Sequence, residues 1–387
     1  MVSTAQFIPK NKTRNWWLKV SLIVGIVAIL AIVLPFIIPA FRLRLLGRFL
    51  ALAITALGID LIWGYTGLLS LGHGIFFGLG GYIFAMYLNL QTAQGGLPSF
   101  FTSYGVSELP LIWQPFRTLP ITVIGLIVIP GIVAGILGYL VFRNRIKGVY
   151  FSILTQAALI VFFNFFNGQQ RLVNGSNGLT TETQTIFGTV VSSPVVQITF
   201  YELTIVSLIL VYLLCFWLTR GRFGRLLIAI RDDETRVRFS GYDPTWFKVV
   251  VFSVSGAIAG LSGALFTVQT GIVTPGSSMD VAFSIEMVIW VAVGGRGTLL
   301  GAIIGAVLVR SAQTFLSEEF PAVWLFFQGA LFLIVVTVLP NGIVGWWREW
   351  AWLKIKSLLG LQPTLLTYPE IDLNAEVMVE SNQQEED

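Results

Sequence analysis

Residues 219–248 read TRGRFGRLLIAIRDDETRVRFSGYDPTWFK and stand between two long apolar runs. From Gly224 to Phe239 the pattern is helical. Leu227, Ile230 and Val237 make an apolar stripe, while Asp232 with Arg236 and Glu234 with Arg238 set opposite charges four residues apart. Ser240-Gly241 ends the helix, because glycine tolerates the left-handed position that follows a last turn. Asp243 then caps the next segment, with Pro244 in its first turn. The expected product is one short amphipathic helix held beneath a membrane between two spans. Taken alone, such a helix could equally lie on lipid headgroups.

The composition requires that membrane. With 55% hydrophobic and 11% charged residues over 387 positions, and a mean hydropathy of +0.80, the apolar surface exceeds what a soluble core can hide. A crossing needs about 20 apolar residues. Ten such runs are expected, at about 18–40, 46–63, 66–88, 119–142, 148–167, 200–218, 246–270, 280–294, 298–316 and 322–340. The fold class is therefore all-α, a polytopic membrane protein. Lys10, Lys12, Arg14 and Lys19 precede the first run, which is too long for a signal-peptide core, so it reads as a retained span with a cytoplasmic N-terminus.

Counting onward puts RNRIK (143–147), the segment 219–248, Arg296 and the basic C-terminal residues Arg348, Lys354 and Lys356 inside, which matches the expected excess of cytoplasmic positive charge. Arg42, Arg44 and Arg48 conflict with it, falling in a loop the count places outside. The expected division is a cytoplasmic N-terminus at 1–17, a membrane domain at 18–345 and a cytoplasmic tail at 346–387. That tail carries seven acidic residues and no Lys or Arg after about 360, a composition expected to be disordered.

Several chemistries are excluded by inventory. No GxxxxGK[ST] loop occurs, and GGRGTLLG (294–301) lacks the Lys and Ser/Thr that phosphate binding needs. One His and one Cys count against a catalytic metal site, and His73 has no GxSxG partner. Cys215 sits in an apolar run and reads as packing. No catalytic residue, metal or cofactor is expected, and the charge gives no ground for nucleic-acid binding.

Transport remains, and intramembrane polar groups are its markers because they are costly in lipid. They are Asp60, His73, Gln156, Asn164, Asn167, Glu286 and Gln328. GTLLGAIIG (297–305) and GAIAGLSG (256–263) set glycines four apart, a smooth face for close helix packing. GYTGLLSLGHGIFFGLGGY (64–82) differs, since its seven glycines do not share one face. A break in the third span is expected there, of the kind tolerated where backbone is buried in protein or lines a cavity. His73, Gly72, Gly74, Gly78, Asn164, Glu286, Gly294 and Gly295 are the candidates for a translocation path or gate, with His73 read first as a structural hydrogen-bonding group.

A short cytoplasmic helix ending in glycine resembles the coupling helix of ABC importer permeases. GRLLIAIRDDETRVRFSGYDP (224–244) with SGAIAGLSGALF (255–266) narrows this to the branched-chain amino acid and urea importer family, and SLGHGIFFGLGGY (70–82) is of the same kind. SIEMVIWVAVGGRGTLLGAIIGA (284–306) is most similar to the family's urea-importing members, because branched-chain relatives usually carry another residue at Arg296. The resemblance covers about 45–345. It implies a heterodimer with a second homologous permease, two cytoplasmic ATPase subunits, a periplasmic substrate-binding protein and a bacterial inner membrane. Gly224, Arg225, Ala229, Arg231, Asp232, Glu234, Arg236, Arg238 and Gly241 would couple ATPase motion to the membrane core. Urea, small and neutral, suits the sparse polar inventory; branched-chain or other amino acids are the alternative. A reading of another class is a passive channel or secondary transporter with His73 and Glu286 as a proton pair.

Overall fold

A computed structural model describes residues 34–146 and 148–320, then 323, 326, 329, 330, 333, 337 and 342–347. Ten helices carry the architecture: α1 (Ala40–Thr66), α2 (His73–Thr92), α3 (Leu119–Arg143), α4 (Val149–Gly168), α5 (Pro194–Arg220), α6 (Arg222–Asp232), α7 (Glu234–Phe239), α8 (Pro244–Thr270), α9 (Val281–Gly294) and α10 (Leu299–Glu319). Eight helical segments among the described residues are long and apolar enough to cross a membrane, α9 being extended by the turn that starts at Pro275. They correspond to the middle eight of the ten expected runs. Most of the expected spans at 18–40 and 322–340 lies outside the described residues, as do Gln328 and the C-terminal tail beyond 347.

α8 is the centre of the bundle, packed on by α1, α2 and α3. Glycine makes this approach possible. A Cβ on Gly80 would run into the Gly260 carbonyl of α8, and one on Gly263 into the Phe77 carbonyl of α2. Gly256 and Gly260 also receive α3 through Ala134 and Pro130, so the spacing-four pattern is a helix-packing face. In the other glycine run, Gly301 and Gly305 interlock with Gly294 of α9, whereas Gly297 precedes α10 and sits in the connecting loop at φ 76°.

The glycines of 64–82 divide by task. Gly67, at φ 73°, closes α1 and donates its amide to Trp63 O at 3.0 Å. The break thus falls before the helix at His73, and the expected third span begins seven residues late. Within α2, Gly74, Gly78 and Gly81 admit Ser284, Met279 and Thr267, while Gly80 faces α8. The backbone between α1 and α2 is satisfied by side chains: Ser152 of α4 donates to Leu69 O at 2.6 Å, Leu71 N donates to Thr155 at 3.1 Å and Gly74 N to Ser284 at 3.0 Å. Apolar surroundings demand such partners for non-helical backbone.

The bundle has two ends of different character. One gathers the α1–α2 connection, α6, α7 and the α9–α10 loop. At the other, strands β1 (Leu179–Thr180) and β4 (Ile272–Val273) pair antiparallel, as do β2 (Thr185–Ile186) and β3 (Thr189–Val190) in a hairpin. Arg42, Arg44 and Arg48, expected in a loop, lie instead in the first turns of α1, because that helix begins at Ala40. Arg44 donates to Ser192 O at 2.8 Å and pairs with Glu182 at 3.4 Å, and Arg48 donates to Gln269 O at 2.9 Å in the last turn of α8. A cation at that helix end meets the carbonyls left without amide partners.

Candidate functional site

The segment 222–241 is two helices, where the sequence pattern suggested one. Asp233 is extended (φ −155°, ψ 95°), and its carboxylate accepts from Thr235 N at 3.0 Å and Arg236 N at 3.1 Å. An aspartate that offers its own acceptor to two free amides starts a new helix more readily than it continues the old one. The break changes the charge pairing. Glu234 and Arg238 pair at 2.8 Å as the spacing predicts, but Asp232 takes Arg231 at 3.2 Å and Arg236 takes Asp233 at 3.6 Å.

Leu227, Ile230 and Val237 are buried, as the stripe requires. Of the nine predicted coupling residues, Arg225, Ala229, Asp232, Arg236 and Gly241 face outward and Arg231 is partly exposed, with Phe239 the most exposed large apolar side chain beside them at 89%. Gly224, Arg231, Glu234 and Arg238 hold the helices to the bundle. Gly224 is pressed against the Thr219 backbone, and Arg231 sends its guanidinium to Gly64 O at 2.9 Å. Glu234 bridges half-buried Arg238 to buried Lys248 of α8, the latter at 2.6 Å. Lys248, with Nζ 5.6 Å from the Phe142 ring centre, carries no signal in the sequence pattern; only the fold brings it to Glu234. A cleft of about 310 Å³ separates Gly67 and Leu68 from Asp233, Glu234 and Lys248.

The carboxylates outside the spans respond to these surroundings. Burial alone would raise Glu234, but the hydrogen bonds and charges of Lys248 and Arg238 outweigh it and hold the carboxyl below its ordinary range. Asp243 is lowered chiefly by the Thr245 backbone amide it caps at 3.0 Å, then by the Thr245 hydroxyl and the charges of Arg238 and Lys248.

The eight path candidates occupy separate places. His73, 1% exposed, opens α2; its Nε2 lies 2.7 Å from the Ser255 hydroxyl, which donates to Gly58 O at 2.5 Å. The Phe76 and Phe252 rings meet it edge-on at 5.7 and 6.0 Å. Gly72 abuts Thr155 of α4, and Gly74 and Gly78 abut Ser284 and Met279. Glu286 pairs with Arg310 of α10 at 2.8 Å, and Arg310 also reaches Gln313. His73 and Glu286 thus have different partners and form no pair with each other. Asn164 is exposed on α4 and donates to Ile160 O of its own helix at 2.9 Å. Gly294 interlocks with α10, and Gly295 ends α9 at φ 120°. Asp60 is fully buried in the bundle and accepts from Gly297 N at 2.6 Å, near the end of α1.

These features define a multi-pass membrane protein with an amphipathic helix pair, α6 and α7, pinned against the bundle. Residues 41–336 match the family described as branched-chain amino acid transport system / permease component. The chain belongs to that family, as a non-catalytic permease component of an ABC transport system. It is 27% identical over 354 residues to the high-affinity branched-chain amino acid transport system permease protein LivM of Salmonella typhimurium, covering 85% of this chain and 75% of the relative. LivM of Escherichia coli is 27% identical over 357 residues, covering 86% and 77%. LivH of Salmonella typhimurium, another permease protein of that system, is 23% identical over 312 residues, covering 76% and 91%. No solved structure matches the chain. The named permeases are branched-chain amino acid proteins, so the resemblance to urea importers finds no support among them.

Proposed function

We propose that this chain is one of two homologous permease subunits of an ATP-driven importer in a bacterial inner membrane, and that its cargo is a branched-chain amino acid. The observation that carries the reading is the match to the branched-chain permease family across residues 41–336. LivM and LivH support the heterodimer, each named as a permease protein of a branched-chain amino acid system and each similar to this chain. The assembly carries two ATPase subunits, one of which docks on the outward face of α6 and α7, where Arg225, Arg236 and Phe239 stand clear of the bundle. The end bearing α6 and α7 is then cytoplasmic, both termini lie on that side, and a periplasmic binding protein delivers cargo at the other. Closure and opening of the ATPase pair favour different permease arrangements, which is alternating access by population shift.

Urea is the second reading. Glu286 is engaged by Arg310 and does not stand ready to hold a zwitterion, while Asp60 is fully buried with one carboxyl oxygen taken by the Gly297 amide. That favours a neutral solute.

The deciding experiment is ATP-dependent uptake of labelled leucine against labelled urea by the assembled complex in liposomes. Leucine uptake is expected; urea uptake without leucine uptake refutes the amino acid reading. A purified chain that brings down no ATPase, yet transports without ATP, refutes the importer itself. Charge reversal Arg236→Glu is expected to abolish driven uptake with normal membrane insertion, and Arg236, 84% exposed, is a cleaner site than Arg238, whose reversal also breaks the pair with Glu234.

A further inference from the structure

The last turns of α1 receive hydrogen bonds from two distant parts of the chain. Asp60 Oδ1 accepts from the Gly297 amide at 2.6 Å, in the loop joining α9 to α10. Four residues on, the Gly64 carbonyl belongs to the end of α1, where helical partners run out, and it accepts from Arg231 Nη1 of α6 at 2.9 Å. Gly64 lacks a side chain for a reason: a Cβ there would stand 2.6 Å from Gly297 N and 2.7 Å from its Cα. The guanidinium of Arg296 sits 5.7 Å over the Trp63 ring, and its charge acts on Asp60. Residues 60, 63 and 64 therefore grip the 296–297 loop, and residue 64 also grips α6.

The loop connects two closely packed helices. Gly294, Gly301 and Gly305 bring the α9 and α10 backbones into direct contact, so the pair forms an interlocked hairpin. α8, by contrast, is held on three sides by α1, α2 and α3 and serves as a fixed anchor for Glu234.

We propose that the last turns of α1 are the relay by which α6 acts on the α9–α10 hairpin, with Arg231 and Asp60 as the positioning residues on its two sides. The proposal rests on the reading that α6 and α7 dock an ATPase. A displacement of α6 pulls on Gly64 through Arg231; Gly64 abuts Gly297, and Asp60 keeps that loop in register with the same turn.

The test uses the assembled complex in liposomes, with cargo-loaded binding protein, measuring uptake and ATP hydrolysis in the same vesicles. Arg231→Met keeps an unbranched apolar stem and removes the donors; Asp60→Ala removes the acceptor. Each is expected to leave ATP turnover within about twofold and to cut uptake per ATP by at least tenfold. Because both act on one relay, the double variant is expected to lose no more than the worse single. Uptake per ATP unchanged in either single variant overturns the relay, as does a parallel fall of hydrolysis and uptake, or a double loss equal to the product of the singles. Should Asp60→Ala not assemble, Asp60→Asn keeps the Oδ1 acceptor and is expected to stay coupled, while Gly64→Ala, whose methyl group would crowd both the Asp60 carboxylate and the Gly297 backbone, is expected to uncouple; the reverse order overturns the proposal. Loss of ATPase co-purification from the unmodified chain would instead remove the docking reading on which the relay depends.

Discussion

Replacing Glu234 with Gln attacks the junction between α7 and α8 at one atom. The carboxylate lies 2.6 Å from Lys248 Nζ and 2.8 Å from Arg238, and the Lys248 and Glu234 side chains are 4% and 13% exposed. Removing one member of a buried ion pair costs about 3–5 kcal/mol, because the remaining charge keeps its desolvation without its counterion. The Arg238 arm is partly solvated and adds at most about 1 kcal/mol. A glutamine carbonyl still accepts one hydrogen bond, which returns about 1 kcal/mol. The expected net cost is about 2–5 kcal/mol.

Pairing Glu234→Gln with Lys248→Met should recover most of it, since an apolar side chain in place of a buried charge is often neutral. The assay is a double-mutant cycle on reversible unfolding by dodecyl sulfate in mixed micelles, followed by the fluorescence of the 12 tryptophans. A coupling energy below about 0.5 kcal/mol would refute the reasoning, because independent sites typically add to within that margin. The pH dependence has a definite sign. Glu234 titrates lower folded than its ordinary value of 4.5, so its contribution is complete above about 4.5 and is lost as pH falls through the lowered folded value. The Glu234→Gln protein should lack this acid loss.

The packing sets three other outcomes. Gly80→Ala places a methyl group on the Gly260 carbonyl, where no side chain can yield, and is expected to cost about 1–3 kcal/mol or more, read as a lower unfolding midpoint; wild-type stability would deny the close approach. His73→Ala removes the Ser255 bond and leaves a hole beside Phe76 and Phe252, so a loss of about 2–4 kcal/mol is expected with the apparent KM for cargo unchanged. A raised KM at normal stability would make His73 a cargo contact instead. Asp233→Ala should fray α7 at a cost of about 1 kcal/mol, seen as faster amide exchange at Thr235 and Arg236.

Composition alone determined that this chain lives in a membrane, and apolar run length placed the eight described spans to within a few residues, save where Gly67 delays α2 and where the apolar runs begin after the start of α1 and α5. Both results depend on local quantities: hydropathy summed over a window, and the turn preference of glycine. The outward-facing charges of 222–241 and its buried stripe were likewise legible, since helical periodicity is a property of neighbours in sequence. The Asp233 break was missed although its signal was present, because Asp232 and Glu234 read as partners in one continuous helix until the Asp233 carboxylate between them is seen on the amides two and three residues later.

What only the tertiary structure decided is which distant groups meet. Nothing along the chain pairs Lys248 with Glu234 or Asp60 with Gly297; they meet because α8 and α1 deliver them to one end of the bundle. His73 and Glu286, readable as a proton pair, were separated onto Ser255 and Arg310. A buried polar group takes whichever partner the packing brings within about 3 Å, and helices that cross the bundle bring together residues more than 200 positions apart, as Asp60 and Gly297 are, which no periodicity along the chain encodes.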